Sequence, residues 1–208
     1  RGEGVKGQRA HVAPSPVHPF ARSRNQEGEN VSHIRLAFAL ALVVTFSLRA
    51  EDAAPDNDGF IRNWLLLVPI PLEVDSNGFE EIDKQQIKDE GQIKPKAGEK
   101  VKIRDKEYEW KAITTKDFFF DINEILKGTI ENSIAYAVCY LDSPEDLKEL
   151  KLKMGSNAQG KVYLNGKEVV KFLETRVLEK DENIAENVTL NKGVNTLVFK
   201  VINEVNNF

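Results

Sequence analysis

The sequence predicts an all-β domain, an antiparallel β-sandwich of about eight or more strands. Short segments alternate apolar and polar side chains, tight turns such as Asn165-Gly166 separate them, and helical periodicity of useful length is absent. The chain has 208 residues, of which 41% are hydrophobic and 30% charged. That length and composition are typical of a globular domain that buries a real core.

The first predicted strand is the apolar run FIRNWLLLVPIPL at 60–72. Its two prolines, Pro69 and Pro71, place this segment at a strand end or a sheet edge, because proline cannot donate a ladder hydrogen bond. Residues 73–100 are polar and rich in Lys and Glu, so we expect a long surface excursion with a short helix around Glu80–Lys88.

The middle of the chain continues the pattern. Residues 100–114 alternate apolar and charged side chains on both sides of Asp105-Lys106, which predicts a hairpin with one dry face. The apolar run 118–122 leads into a short helical turn, and SIAYAVCYL at 133–141 is the most strand-like segment. Ser143–Asp146 has the pattern of a helix cap with proline at the first position, which predicts one helical turn.

The last third predicts two hairpins. Asn165-Gly166 between apolar runs is the strongest short hairpin signal, since both residues accept a positive φ. A second turn is predicted at 191–193, around Gly193. The remaining predicted strands are 150–154, 161–164, 167–172, 187–190 and 194–203.

The N-terminal part of the chain is predicted to lie outside the sandwich. The uncharged apolar run Leu36–Leu48 follows Arg35 and precedes Ala50, which is typical of a secretory signal peptide at 31–50. The run is short for a membrane span, and a buried helix is the alternative interpretation. Residues 1–30 show no periodicity and are interpreted as disordered or as mistranslated sequence upstream of a true start at Val31.

The module itself is assigned to residues 60–208, after a linker at 51–59. Residues 1–50 hold seven Lys and Arg and three acidic residues; subtracting these from the totals of 29 and 33 leaves 22 basic and 30 acidic residues. The body is therefore acidic, which argues against nucleic acid as a partner. We expect no contact with a membrane once the signal peptide is cleaved.

Several kinds of catalytic site are excluded by residue content. All three histidines precede residue 50, so the body cannot form a Ser-His-Asp triad or an imidazole-ligated metal site. The single cysteine, Cys139, lies in an apolar strand and is expected in the core. No Walker loop, GxGxxG, GxSxG or CxxC motif occurs in the body. A two-carboxylate glycosidase stays open as the less favoured enzymatic alternative.

Four motifs in order resemble a recurring secreted module. They are WLLLVPIP at Trp64–Pro71, AYA at Ala135–Ala137, GSNAQGKVYLNGKEV at Gly155–Val169 and LNKGVNTLVFKVIN at Leu190–Asn203. This order is similar to the galactose-binding-like jelly roll found beside secreted bacterial glycoside hydrolases and carbohydrate esterases. The resemblance covers most of residues 58–208 and implies a jelly-roll sandwich that binds sugars or proteins or braces a neighbouring domain.

Two departures from that family pattern bear on function. The loop Asn157–Gly160 has no carboxylate where related calcium-dependent sugar binders often have paired aspartates, so calcium is unsupported and no cofactor is expected. The family pattern also continues for another strand beyond the final Asn-rich loop. C-terminal truncation of the 60–208 module, with the loss of a catalytic domain, is therefore one interpretation of the chain.

Five residues are candidates for sugar binding, which needs an exposed aromatic face and amide hydrogen bonders. Tyr163 shares a strand face with Lys161 and is expected to be the most exposed aromatic residue. Trp110 is a weaker candidate, since its alternation with charged residues favours the core. The amide candidates are Asn157, Asn165 and Asn203, and turn geometry explains the first two equally well.

The leading hypothesis is a non-catalytic, secreted or periplasmic module that binds a polysaccharide or glycan as an accessory to a polysaccharide-degrading system. A hydrolase domain in cis is the expected protein partner. The alternative is a purely structural domain that packs on a catalytic domain missing from this chain and binds nothing itself. An exposed apolar patch together with a groove that lacks aromatic residues would favour this alternative.

Overall fold

The computed structural model describes residues 55–205 and shows an all-β fold, as predicted. Two short helices and one 3₁₀ helix, Glu90–Gln92, accompany the strands. In chain order the elements are β1 (Asn63–Pro71), α1 (Gly78–Glu81), β2 (Lys100–Ile103), β3 (Lys106–Glu109), β4 (Lys111–Thr114), α2 (Ile122–Leu126), β5 (Ser133–Ser143), β6 (Leu147–Met154), β7 (Gln159–Leu164), β8 (Lys167–Phe172), β9 (Asn183–Leu190) and β10 (Gly193–Asn203).

A six-stranded antiparallel sheet forms the centre of the domain, in the order β4-β1-β5-β10-β7-β8. Its two longest strands, β5 and β10, pair along their entire length. Ser133 is opposite Asn203 at one end, and Ser143 is opposite Gly193 at the other. The prolines of β1 lie beyond Leu66, the last residue of β1 that pairs with β4. The strand itself is internal to the sheet, between β4 and β5, and the prolines lie towards its end, where it pairs with β5 alone.

Both faces of this sheet are covered. On one face the two-stranded ribbon β6–β9 packs through Val188 and Ala185 against Cys139, Val162 and Leu197, which makes the sandwich. Burial raises the pKa of the Cys139 thiol, as expected for a cysteine inside an apolar core.

Residues 72–110, here called the cover segment, lie on the opposite face. Ile82, Ile103 and Trp110 of this segment pack with Leu65 and Val138 of the sheet in a second buried cluster. Side chains of β5 therefore alternate between two dry environments. This explains why the strand reads as a continuous apolar run and not as an apolar–polar alternation.

The predicted turn at Asn165-Gly166 is confirmed. Asn165 and Gly166 have φ angles of 51° and 84°, and they join β7 to β8, the strand pair expected from the sequence. The strands at the second turn also form, but β9 pairs with β6 while β10 pairs with β5 and β7. The turn at 191–193 therefore connects the ribbon to the sheet and does not close a hairpin.

Three local predictions need correction. Ser143–Asp146 forms no helical turn: β5 runs to Ser143, whose Oγ donates to the Glu145 carbonyl, and a bend leads into β6. The 100–114 hairpin is limited to β2 and β3, because the chain leaves it at Trp110 and continues as β4 against β1. The helix expected around Glu80–Lys88 is restricted to α1.

Residues of the predicted linker contact the start of the predicted sandwich. Asp56, inside the predicted 51–59 linker, accepts hydrogen bonds from the Phe60 amide and from Arg62. The Phe60 bond and the neighbouring Arg62 hold the pKa of Asp56 below its ordinary value, although partial desolvation opposes them. The predicted segments 1–30 and 31–50 lie outside the described residues. Within 55–205, no helix is long and apolar enough to cross a membrane.

Close packing at Gly160 provides a test of the sheet arrangement. A Cβ at Gly160 would lie 2.3 Å from Phe172 Cζ and 2.8 Å from Phe199 Cε2, two rings that already contact each other edge to face. We expect Gly160→Ala to lower the free energy of unfolding by about 1–3 kcal/mol, measured by urea denaturation. Gly128→Ala is the control, because nothing lies within 4 Å of a Cβ there. Equal stabilities of the two variants would contradict this packing.

Candidate functional site

A row of polar side chains crosses the sheet beneath the cover segment. Tyr136, Lys200, Lys161 and Lys171 occupy directly paired positions on β5, β10, β7 and β8. Three adjacent ammonium groups repel one another, so this register requires acceptors from outside the sheet. The cover segment supplies them.

Glu90, at the start of the 3₁₀ helix, is the carboxylate at the centre of this arrangement. Its side chain is 1% exposed and accepts from Tyr136 Oη at 2.5 Å, Tyr163 Oη at 2.9 Å and Lys200 Nζ at 3.4 Å. Burial and the adjacent Glu90 charge raise the pKa of both tyrosines. Both hydroxyls therefore stay protonated at neutral pH and donate to the Glu90 carboxyl group.

Lys200 is fully buried and holds the cover segment through its backbone. Its Nζ donates to the carbonyl oxygens of Glu81 at 2.9 Å, Ile82 at 3.2 Å and Lys84 at 2.5 Å. Burial lowers the pKa of this ammonium, while the nearby Glu90 carboxylate opposes the shift. One side chain of the central strand thus satisfies three carbonyls of the cover segment.

Asp83 pairs with the other two lysines of the row, and Glu168 of β8 lies 3.5 Å from Lys161 as a second carboxylate. Asp83 accepts hydrogen bonds from Lys161 and Lys171, which lower the pKa of its carboxyl group. Glu81 is also buried, but its carboxylate accepts from Ser76, Lys84 and Gln86 within the cover segment. Desolvation alone would raise the pKa of Glu81, yet these hydrogen bonds and the adjacent positive charges bring it below its ordinary value.

A groove lies beside this buried network, with a volume of about 360 Å³. One wall comes from the cover segment just after Glu90, and the other from the β7–β8 turn and β10. The lining residues are Gly91, Gln92, Lys94, Asn165, Gly166 and Thr196. This volume lies at the lower end of the range for small-molecule sites.

The wall formed by the turn is fixed by an amide network. Asn165 Nδ2 donates to Asn195 Oδ1 at 2.7 Å, and the Thr196 amide donates to Asn165 Oδ1 at 2.9 Å. Asn195 is fully buried and donates in turn to the carbonyls of Asn191 and Gly193. The Asn165 amide is therefore committed to holding the turn.

The opposite wall is fixed by Gly91 and the tyrosine beneath it. A Cβ on Gly91 would lie 2.8 Å from Tyr163 Cδ1, so only glycine allows the segment to approach the ring this closely. Glu90, the preceding residue, is anchored by the buried hydrogen bonds described above. Both walls are thus in place without a ligand, which lowers the ordering cost of binding.

Three polar side chains of the groove are left without partners. Among residues 55–205, the side-chain amide of Gln92, the Lys94 ammonium and the Thr196 hydroxyl form no hydrogen bond or ion pair. The neighbouring buried groups, including Glu90 and Asn195, are by contrast fully engaged. These three side chains are therefore the donors and acceptors that the groove offers to a ligand.

The structure corrects the aromatic part of the predicted site. Tyr163 does share a face with Lys161, but the cover segment lies on that face, so the ring is half-buried and its hydroxyl is bound to Glu90. Trp110 is 3% exposed and lies in the core, which agrees with its alternation with charged residues in the sequence. Neither residue presents a free ring face for sugar stacking.

The amide candidates are dispersed. Asn165 lines the groove, but Asn203 is 2% exposed and donates to the Ile130 carbonyl. Asn157 is half-buried in the β6–β7 connection, and its carbonyl accepts from the Arg176 amide. Of the five predicted residues, only Asn165 lies at the groove. Gln92, Lys94 and Thr196 were not predicted. The polar run 73–100 gave no sign of which of its side chains, Gln92 and Lys94 among them, would face the sheet. Thr196 lies within the predicted strand 194–203, and the sequence did not show that this run would end beside it.

Acidic side chains of the described residues lie away from the groove lining. Within 55–205, no group of three or more His, Cys, Asp or Glu side chains is placed to hold a metal ion. None of the six groove-lining residues is acidic, and the buried carboxylates of Glu81 and Glu90 are bound by donors. The groove therefore presents no pair of carboxylates for glycoside hydrolysis.

Comparison with known proteins returned no match to a family model, to a curated protein or to a solved structure. The resemblance to the galactose-binding-like jelly roll stays a prediction from the motifs.

Lys200 offers a direct test of the buried network. Lys200→Met removes the charge opposite Glu90 and leaves three backbone carbonyls unpaired, so we expect a loss of about 3–5 kcal/mol in the free energy of unfolding at pH 7. Lys171→Met in the same row is the control; its ammonium is partly exposed, and we expect a loss below about 1 kcal/mol. The double variant Lys200→Met/Glu90→Gln should recover part of the loss. Urea denaturation measures all three, and a loss at Lys200 no larger than at Lys171 would contradict the network.

Proposed function

We propose that this domain is a non-catalytic module that binds saccharides in the groove between Gln92 and Asn165. It acts as an accessory to a secreted polysaccharide-degrading system. The observation that carries the proposal is the set of three unpartnered polar side chains on two walls that are already fixed.

The chemistry of the groove suits a hydroxyl-rich ligand. Sugar hydroxyls both donate and accept, which matches the Gln92 amide and the Thr196 hydroxyl. The lining has no aromatic side chain, so binding depends on hydrogen bonds of about 1 kcal/mol each and on local charge. An affinity near the millimolar range follows, because three or four such bonds correspond to about −4 kcal/mol.

A groove without acidic residues also supports a non-catalytic role. General acid–base hydrolysis of a glycosidic bond uses two carboxyl groups on opposite sides of the sugar. Here the ligand would meet amide, hydroxyl and ammonium groups, which bind and orient but do not supply that pair. The module would keep an enzyme partner close to its polysaccharide.

Binding can be tested with backbone NMR titrations against a panel of oligosaccharides from plant and algal polysaccharides. We expect shifts at Gln92, Gly166 and Thr196, and about fivefold weaker binding for Gln92→Ala and for Thr196→Val, because each loses one hydrogen bond. Thr189→Val, on an exposed position of β9, is the control and should bind like the wild type. Absence of shifts around the groove with every panel member at about 10 mM would refute the proposal.

A second candidate function is structural packing against a catalytic domain. Phe118 and Phe119 are 50% and 45% exposed, with ring centroids 5.1 Å apart, and Ile125 of α2 is also exposed. Together with a groove that lacks aromatic residues, this exposed aromatic pair favours the structural alternative described in the sequence analysis. Packing through the aromatic pair can coexist with binding in the groove, because different segments form them. Only the purely structural form of the alternative, in which the domain binds nothing itself, excludes the groove as a binding site.

Site-specific photo-crosslinking tests whether the exposed aromatic pair binds a partner domain or is exposed without any binding role. A photoreactive amino acid at Phe119 should crosslink a polysaccharide-degrading enzyme in the secreted fraction of the producing organism. The same group at Val177, which is 82% exposed, is the control. Crosslinking to that enzyme at 119 alone supports docking, and equal or absent crosslinking at the two positions contradicts it.

A further inference from the structure

Lys94 is the single charged side chain among the six residues that line the groove. Lysines on the adjacent sheet face are matched with carboxylates: Lys161 and Lys171 with Asp83, and Lys200 with Glu90. Within the described part of the chain, Lys94 has no such partner. Many surface lysines are free, but Lys94 differs because its charge lies on the wall of a preformed groove.

We infer that the groove selects an anionic saccharide, a sugar unit that bears a carboxylate or sulfate group paired with Lys94. This inference rests on the proposed function and names its ligand class. The neighbouring Gln92 amide and Thr196 hydroxyl bind the uncharged hydroxyls of the same unit. The groove thus combines one cation with neutral hydrogen-bonding groups, which is the complement of an acidic sugar.

Two electrostatic effects set the size of the preference. The contact between Lys94 and an anion is charge-assisted but partly exposed to solvent, so we expect about a fivefold contribution to affinity. The acidic body of the protein, with 30 acidic and 22 basic residues after position 50, repels anions at long range. Salt screens this repulsion beyond about 8 Å at physiological ionic strength, and the contact with Lys94 then decides the preference.

The ammonium of lysine acts as a point charge and does not distinguish a carboxylate from a sulfate ester by geometry. The test therefore uses three probes: the 1→4-linked trimer of galacturonic acid, the methyl ester of that trimer, and a sulfated galactose trimer. The acid and its ester share one skeleton and differ in charge. Any difference in their affinities reports on the carboxylate alone.

The experiment is an NMR titration of the full domain with each probe at about 0.15 M salt. Wild type, Lys94→Gln and Lys96→Gln are compared; Lys96 is an exposed lysine two residues away that does not line the groove. We expect wild type to bind the acid about fivefold more tightly than the ester. Lys94→Gln should lose that preference without weaker binding of the ester, and Lys96→Gln should keep it. A sulfated trimer that binds more tightly than the acid would assign the anion to sulfate.

Failure of this inference can be told apart from failure of the proposed function. If the acid, the ester and the sulfated trimer bind wild type equally, or if Lys94→Gln keeps the preference for the charged probe, the selection of an anion by Lys94 is wrong while saccharide binding stands. If none of the three probes and no neutral oligosaccharide shifts the groove resonances, the proposed function fails, and the inference fails with it. If Lys94→Gln and Lys96→Gln lost the preference for the acid to the same extent, the preference would come from general surface charge. That result would overturn the specific role of Lys94.

Discussion

The structure depends on how one buried ammonium group is satisfied. Lys200 lies on the central strand of the sheet, where a charge without acceptors is strongly unfavourable. Its acceptors are the backbone carbonyls of Glu81, Ile82 and Lys84 and the Glu90 carboxylate, all from the cover segment. The sheet therefore specifies where that loop lies, and the loop cannot leave without exposing both the charge and the apolar cluster around Ile82.

The position of the groove follows from the same contacts. Glu90 is held by Tyr136 and Tyr163, and the next residue, Gly91, packs directly on the Tyr163 ring. The segment continues into the residues that form the first wall, while Asn195 holds the second wall through Asn165. The groove is thus formed by segments that the interior of the domain holds in place, while the side chains of Gln92, Lys94 and Thr196 make no hydrogen bond within the described residues.

Sequence patterns predict the sheet well and the cover segment poorly. The alternation of apolar and polar side chains and the Asn165-Gly166 turn both depend on residues close in sequence. The strands could therefore be placed from the sequence. Glu81 and Glu90 look like solvated surface residues, because their partners are distant in sequence and no local rule links Glu90 to Lys200, 110 residues away. Tyr163 was expected to be exposed for the same reason. Its strand face was assigned correctly, but the cover segment that lies on this face is distant in sequence, so no local pattern showed the contact. The predicted site consequently shares only Asn165 with the groove.

Amide hydrogen exchange on the unliganded domain tests the anchoring of the cover segment most directly. The Glu81, Ile82 and Gln92 amides make only local hydrogen bonds, to Asn77, Gly78 and Asp89. If Lys200 and Glu90 anchor the segment, these amides should exchange nearly as slowly as that of Val138 in the central sheet, because they open only with the core. Exchange at the rates of an exposed loop, with Val138 still protected, would show that the segment moves independently of the sheet and would contradict the anchoring.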